Sequence, residues 1–122
     1  MTNKEQALFG ARADIAKALA HPTRLFIVDM LSKGERCVCE LREAVGADVS
    51  TVSKHLSVLK KAGILEDDKR GLQVYYRLRC TCVLSFFGCI EGVLRKNAND
   101  HIALMSEDDT GQEPDAESMT MS

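Results

Sequence analysis

The sequence of 122 residues lacks long apolar runs, and its first residues lack the apolar core of an export signal. No window approaches 18 uninterrupted apolar residues, so a membrane-spanning helix is not expected. Charged side chains occur within the first six residues, where a signal peptide would need apolar ones. The sequence therefore predicts a single domain in the cytoplasm and argues against the secreted, membrane and multidomain classes.

Basic residues are absent from the C-terminal end of the chain. Seven of the 18 acidic residues and none of the 16 Lys and Arg residues lie between Asp100 and Ser122. The whole chain has a net charge of -2, but residues 1–99 have 11 acids and carry +5. A basic body suits a nucleic-acid partner. Residues 100–122 are predicted to be an acidic, disordered tail, which either aids solubility or competes with DNA for the basic face.

Cysteine occurs five times, an odd number, without an export signal, so a disulfide framework is not expected. Thiols in a reducing compartment are more often metal ligands or redox sensors, with small buried side chains as the alternative. No βαβ pattern and no second catalytic constellation accompany the thiols. We therefore predict no enzymatic activity and no required cofactor.

Apolar periodicity and turn residues predict a mainly helical fold with one β-hairpin. The short third helix, its glycine turn and the polar-faced fourth helix form a helix-turn-helix, and the hairpin after them forms a wing. Strands over 64–66 and 72–78 flank a turn at 67–71, which places Lys69 and Arg70 at the tip. The predicted helices cover about 5–20, 22–32, 38–45, a stretch capped by Asp48 or Ser50 that ends near 62, and 82–98.

The last predicted helix has too many apolar positions for one narrow stripe, so it needs a partner surface. A homodimer built on the first and last helices is the simplest explanation. Its apolar residues are Val83, Leu84, Phe86, Phe87, Ile90, Val93 and Leu94.

Several local motifs together point to a known family. They are Ala18–Arg24, Cys37–Leu41, Val49–Leu56, Leu59–Ile64 and Gly71–Leu78. Over about residues 5 to 96 the chain resembles the ArsR/SmtB family of winged helix-turn-helix metalloregulatory repressors. The resemblance implies a homodimer that binds an inverted repeat in double-stranded operator DNA and releases it when an effector binds. A winged-helix protein-interaction module without DNA binding remains an alternative.

The resemblance makes the fourth helix a recognition helix that enters the major groove. Its candidate base and phosphate contacts are Ser50, Thr51, Ser53, Lys54 and His55. Lys54 and four further cations, Lys60, Lys61, Lys69 and Arg70, are expected to neutralise phosphates and to make binding strongly salt-dependent. For His55 a second role is open, in which the ring packs and hydrogen-bonds beneath the DNA surface.

Cys37 and Cys39 open the third helix. Side chains two apart in a helix point about 200° from each other, so these sulfurs converge only at a frayed helix start or in extended backbone. The pair matches the Cys-Val-Cys box that supplies ligands for arsenite or soft divalent metals in the family. Arg42 stands where arsenite-sensing relatives often have a third cysteine, and no cysteine precedes Cys37. The box alone is therefore a two-thiol site.

Cys80, Cys82 and Cys89 form a second candidate site. Residues two apart in extended backbone face one side, and seven residues span two helical turns. The three thiols are expected to form a compact site or to contribute to one across the dimer. In zinc-sensing relatives this site has two later ligands, which fall at Val93 and Lys96 here and disfavour borderline metals.

Arsenite is the expected effector. The alternatives are cadmium, lead or another thiophilic divalent metal, and oxidation or persulfidation of a thiol pair. Cys80, Cys82 and Cys89 are favoured as its site because they supply three thiolates without help. Cys37 and Cys39 are a nearly equal alternative because their motif is the better-known one of the family, so the choice between the clusters stays open.

Overall fold

The computed structural model describes residues 1–109, in which five helices and three short strands form a winged helix-turn-helix. The predicted mainly helical fold with one hairpin is confirmed. No helix in this part of the chain is long and apolar enough to cross a membrane. The elements are α1 (Asn3–Leu19), α2 (Pro22–Leu31), β1 (Arg36–Cys37), α3 (Val38–Val45), α4 (Val49–Lys61), β2 (Leu65–Arg70), β3 (Gln73–Leu78) and α5 (Val83–Asp109).

Side-chain caps define where three of the helices begin. Thr2 and Glu5 exchange hydrogen bonds of 3.1 and 2.8 Å in a capping box before α1. His21 Nδ1 accepts the Thr23 N–H at 3.1 Å ahead of α2. Asp48 caps α4 by accepting the Thr51 N–H at 3.0 Å, which lowers the pKa of the Asp48 carboxyl. Of the two predicted caps for α4, Asp48 is therefore the one used.

The three strands form an antiparallel sheet in the order β1-β3-β2. The predicted turn at 67–71 was wrong, because β2 continues through Arg70 and the chain reverses at Gly71 and Leu72. Gly71 has a φ of 63°, which glycine adopts without strain. The polar residues of β2 remain in the strand because they pair across the hairpin, as in the 2.9 Å contact between Arg77 Nε and Glu66 Oε2.

Helix α5 extends eleven residues beyond the predicted end at 98. Residues 100–109 are therefore helical, which corrects the prediction of a disordered tail from 100 onward. The sequence has no Gly or Pro from 93 to 110, so nothing in it interrupts the helix there. The remainder of the predicted tail, 110–122, lies outside the described residues.

The chain forms two compact units, of which Met1–Thr81 is the first and α5 lies in the second. The core of the first unit is made where α2, α3, α4 and β2 meet. Helix α1 adds only Ala18 and Leu19, at its C-terminal end. The fully buried side chains are Ile27, Val28, Leu41, Val52, Leu56, Leu59 and Leu65.

We expect Leu56→Ala to destabilise the fold by about 2–5 kcal/mol, because it deletes fully buried methyl groups and leaves a cavity. Leu72→Ala is the matched control, since Leu72 is 99% exposed at the hairpin turn. Urea unfolding followed by circular dichroism measures both. Equal free energies of unfolding for the two variants would contradict this description of the core.

Candidate nucleic-acid interface and thiol site

Helix α4 has one buried and one exposed face. Val52, Leu56 and Leu59 are buried against the core. The opposite face of α4 exposes most of the DNA contacts predicted for its first two turns. These exposed residues are Ser50, Thr51, Ser53 and Lys54. The structure thus brings four of the five predicted contacts of α4 onto one accessible surface, and their binding to DNA stays a prediction.

His55 differs from these four residues because its ring is half-buried. Its Nδ1 lies 3.2 Å from Arg24 Nη1, and the ring centroids of His55 and His21 are 4.4 Å apart. Burial, helped by the nearby His21 and Arg24, lowers the pKa of His55. This geometry favours the second predicted role of His55, in which the ring packs beneath the exposed face. Sequence reasoning missed Arg24, because 31 residues separate it from His55.

The predicted phosphate contacts divide into paired and unpaired cations. Lys60 Nζ lies 3.0 Å from Asp67 Oδ2, which raises the pKa of Lys60. Arg70 is also paired with carboxylates, so neither cation is as available for phosphate as its sequence position suggests. Among the predicted phosphate contacts, those that make no ion pair within residues 1–105 are Lys54, Lys61 and Lys69.

Arg70 is held at the end of β2 by three contacts. Its Nη1 and Nη2 donate to the two carboxylate oxygens of Glu35 at 2.9 and 2.8 Å, and its Nε donates to Asp68 at 2.9 Å. The guanidinium also lies 4.6 Å from the centre of the Tyr75 ring. The hydrogen bonds from Arg70 lower the pKa of Glu35. Such a two-pronged Arg–carboxylate pair is geometrically specific, so it fixes the wing tip to the segment before β1.

The sulfurs of Cys37 and Cys39 lie within bonding distance and form a disulfide, with their Cα atoms 5.4 Å apart. Cys37 has extended backbone as the last residue of β1 and the N-cap of α3, whereas Cys39 lies in the first helical turn. Extended backbone at Cys37 is one of the two conditions under which the sequence allows these sulfurs to converge, and their role as effector ligands stays a prediction. Cys37 is 6% exposed and Cys39 is exposed, so the pair is reached from solvent on the Cys39 side.

The Cys37–Cys39 pair, called the dithiol in its reduced form, is joined to the wing through the sheet. Cys37 pairs with Tyr75 on β3, and the Tyr75 ring is the one that Arg70 covers. Cys39 Sγ also lies 3.7 Å from Gln73 Oε1 on the same strand. Both cysteines are thus adjacent to β3.

The second cysteine cluster is divided between the two units. Cys80 follows β3 in the first unit, whereas Cys82 and Cys89 belong to the second, immediately before α5 and in its second turn. All three are exposed. Within the described residues no three His, Cys, Asp or Glu side chains are grouped so that they could hold a metal ion. The three-thiolate site stays a prediction.

Comparison with known proteins gives a consistent result. A family model described as "Bacterial regulatory protein, arsR family" matches residues 21–67. HTH-type transcriptional regulator Rv0324 of Mycobacterium tuberculosis is 33% identical over 115 residues, which cover 94% of this chain and 50% of that protein. The arsenical resistance operon repressor of Escherichia coli K12 is 48% identical over 63 residues, which cover 51% of this chain and 54% of that protein. The chain spans about half the length of these curated relatives.

Among solved structures, the chain is similar to the homodimeric winged helix-turn-helix DNA-binding domain Mb0332 from Mycobacterium bovis. The TM-score is 0.69 at 33% identity, and the match covers 84% of this chain and 92% of that one.

We expect Glu35→Gln to make DNA binding tighter and more salt-dependent, because it frees the Arg70 guanidinium for a phosphate. The slope of log K against log salt should steepen by about 0.9 for each additional phosphate that the protein neutralises. Fluorescence anisotropy on the upstream promoter DNA measures this. Glu43→Gln on α3 removes the same charge from an exposed residue outside this cluster and serves as the control. An unchanged slope for Glu35→Gln would show that Arg70 does not compete between Glu35 and phosphate.

Proposed function

We propose, from the chain's membership of the ArsR family of bacterial regulatory proteins, that it is a DNA-binding transcriptional repressor. In this proposal it leaves its operator when arsenite binds its cysteine thiolates. The observation that carries the proposal is the convergence of Cys37 and Cys39 at the first residue of the helix-turn-helix, on a strand paired with the wing. A ligand bound by these two sulfurs would lie next to the elements expected to hold DNA. A cytoplasmic location is part of the proposal.

The DNA-binding part of the proposal is supported by the two faces of α4. Its buried face fixes the helix to the core, and its exposed first two turns present hydroxyls and Lys54. Hydroxyl and ammonium groups are ordinary partners of base edges and phosphates. Lys61 and Lys69 add positive charge without an ion-pair partner in residues 1–105.

A homodimer is proposed because both terminal helices of the described chain expose large apolar side chains. Surfaces of this kind mark interaction sites in proteins of this size. Two copies related by a twofold axis would present two recognition helices to an inverted repeat. The exposed large apolar residues are Leu8, Phe9 and Ile15 on α1, and Phe86, Val93, Leu94, Ile102, Leu104 and Met105 on α5.

Arsenite suits the dithiol because arsenic(III) is a soft centre that prefers thiolate ligands. The reduced Cys37 and Cys39 would supply two of its ligands. The second cluster, Cys80, Cys82 and Cys89, is the competing site and would supply three thiolates. Cadmium or lead would use the same chemistry.

Release of DNA would follow from the pairing of β1 with β3. Arsenite would bind the reduced pair, so an arsenic atom would fix the distance between two sulfurs that are otherwise unbonded, and β1 or the first turn of α3 would adjust to it. Cys37 pairs with Tyr75, so that movement reaches the wing and the start of the helix-turn-helix. Effector and DNA then bind with negative coupling, and the recognition helices leave the register of the two half-sites.

A second candidate function is thiol oxidation, which is favoured by the pairing of Cys37 and Cys39 as a disulfide. Hydrogen peroxide would take two electrons and two protons from the two thiols, which form the disulfide while the peroxide becomes two water molecules. The disulfide would then be the released state, and a thiol reductant would restore binding.

We expect arsenite to release the reduced protein from its upstream promoter DNA, as measured by fluorescence anisotropy with a phosphine reductant that carries no thiol. Cys37→Ser with Cys39→Ser should bind DNA like the wild type and no longer respond. The matched control changes Cys80, Cys82 and Cys89 to Ser, and it should still respond if the dithiol is the site.

Three outcomes would change the account. Loss of response only in the Cys80, Cys82 and Cys89 variant would move the effector site to the second cluster. Release by peroxide but not by arsenite, reversed by reductant, would favour the redox function. DNA affinity that is weak and insensitive to salt would contradict the repressor itself.

A further inference from the structure

Arg24 connects three helices through a single guanidinium. Its Nε donates to the carbonyl of Ala18 at 2.6 Å, and its Nη2 donates to the carbonyl of Lys17 at 3.4 Å. Both carbonyls lie at the C-terminal end of α1, where the helix dipole favours a positive charge. The remaining Nη1 lies 3.2 Å from Nδ1 of His55 on α4. Arg24, in the first turn of α2, therefore ties the end of α1 to the proposed recognition helix.

The contact between Arg24 and His55 defines which ring nitrogen carries the proton. A guanidinium only donates hydrogen bonds, and it does not lose its proton in proteins. Nδ1 of His55 must therefore accept, so the neutral ring carries its proton on Nε2. A protonated Nδ1 would place two donors and two positive charges against each other. The ring can keep this bond only as the neutral imidazole.

His21 supports the same arrangement from the other side. Its ring lies 4.4 Å from the His55 ring, tilted by 48°. Its Nδ1 accepts the Thr23 N–H at the start of α2, so the position of the His21 ring is fixed by the helix it caps. The His55 ring is thus in contact with two side chains whose own positions are set by helix ends.

We propose that His55 is a positioning residue for DNA recognition, which acts through its Nδ1 bond to Arg24, and that Arg24 and His21 set the orientation of α4 relative to α1. This inference rests on the proposed DNA binding by α4. Since α1 belongs to the proposed dimer surface, the same link sets the separation of the two recognition helices. Arg24 then governs which half-site spacing the repressor accepts.

Two substitutions of His55 separate positioning from direct contact. In His55→Asn the amide oxygen can lie near the place of Nδ1 and accept from Arg24, whereas the Nε2 donor is lost. In His55→Gln a nitrogen can lie near the place of Nε2, whereas the Nδ1 acceptor is lost. We expect His55→Asn to bind promoter DNA within a few-fold of the wild type. We expect His55→Gln to bind at least about ten-fold more weakly, which corresponds to about 1.4 kcal/mol.

The reverse order of the two affinities would overturn the proposal, because it would make His55 a direct DNA contact through Nε2. Unchanged binding by both variants would overturn it as well. Thermal unfolding of each variant shows whether it is folded. If both variants bind DNA poorly, the nitrogen-15 NMR spectrum of the His55 ring in the wild type decides whether the link to Arg24 exists.

Nitrogen-15 NMR of the histidine rings tests the link without DNA, so it remains decisive even if the proposed function fails. We expect an unprotonated Nδ1 and a protonated Nε2 in His55 at neutral pH. The charged and titratable groups that face this ring are Arg24 and His21. Arg24→Gln should raise the pH at which the His55 ring gains its second proton. The same variant should also bind operators whose half-sites are one base pair closer together or farther apart. A proton on Nδ1 in the wild type at neutral pH would overturn the proposal.

Discussion

The pairing of β1 with β3 is the constraint on which the thiol site and the wing both depend. Strand β1 is only two residues long, yet its second residue, Cys37, is buried, pairs with Tyr75 and starts α3. One residue is therefore a sheet partner, a helix start and a thiol. Chemistry at that sulfur has a short structural route to the helix-turn-helix, because no flexible segment separates them. This short route makes the dithiol the stronger of the two candidate effector sites.

Ion pairs shape the surface that would meet DNA. At the wing, Arg70 is bound by Glu35 and Asp68, and Arg77 is bound by Glu66. The positive charge of the hairpin is thus largely satisfied within the protein, whereas Lys54 on α4 makes no ion pair with described residues. In this account α4 provides most of the recognition surface. At the wing tip, the ion pair between Arg70 and Glu35 joins β2 to the residue that precedes β1.

The sequence predicted the parts of the structure that depend on local signals. Helices α1 to α4, the Asp48 cap and the convergence of Cys37 and Cys39 follow from periodicity and from residues a few positions apart. The missed features depend on residues far apart in the chain. Strand β1 is too short to show a period, and β2 was cut short because its polar residues resemble a turn.

The contacts of Arg24 and Arg70 show the same limit at the candidate interface. Arg24 meets His55 across 31 residues, and Arg70 meets Glu35 across 35. The packing of α2 against α4 and of β1 against β3 creates these pairs, so only the folded chain reveals them. Both contacts add a partner that the sequence did not show, Arg24 for His55 and Glu35 for Arg70, and the DNA contacts predicted for His55 and Arg70 stay predictions.

Reciprocal coupling offers the most direct test of the central claim that arsenite and operator bind the same protein in opposition. The measurement is the affinity of the reduced protein for arsenite, by calorimetry, with and without saturating operator DNA. Our account predicts that operator weakens arsenite binding by the same factor by which arsenite weakens operator binding. Equal arsenite affinities in the two conditions would contradict it, because a ligand that does not discriminate between the two states cannot release the DNA.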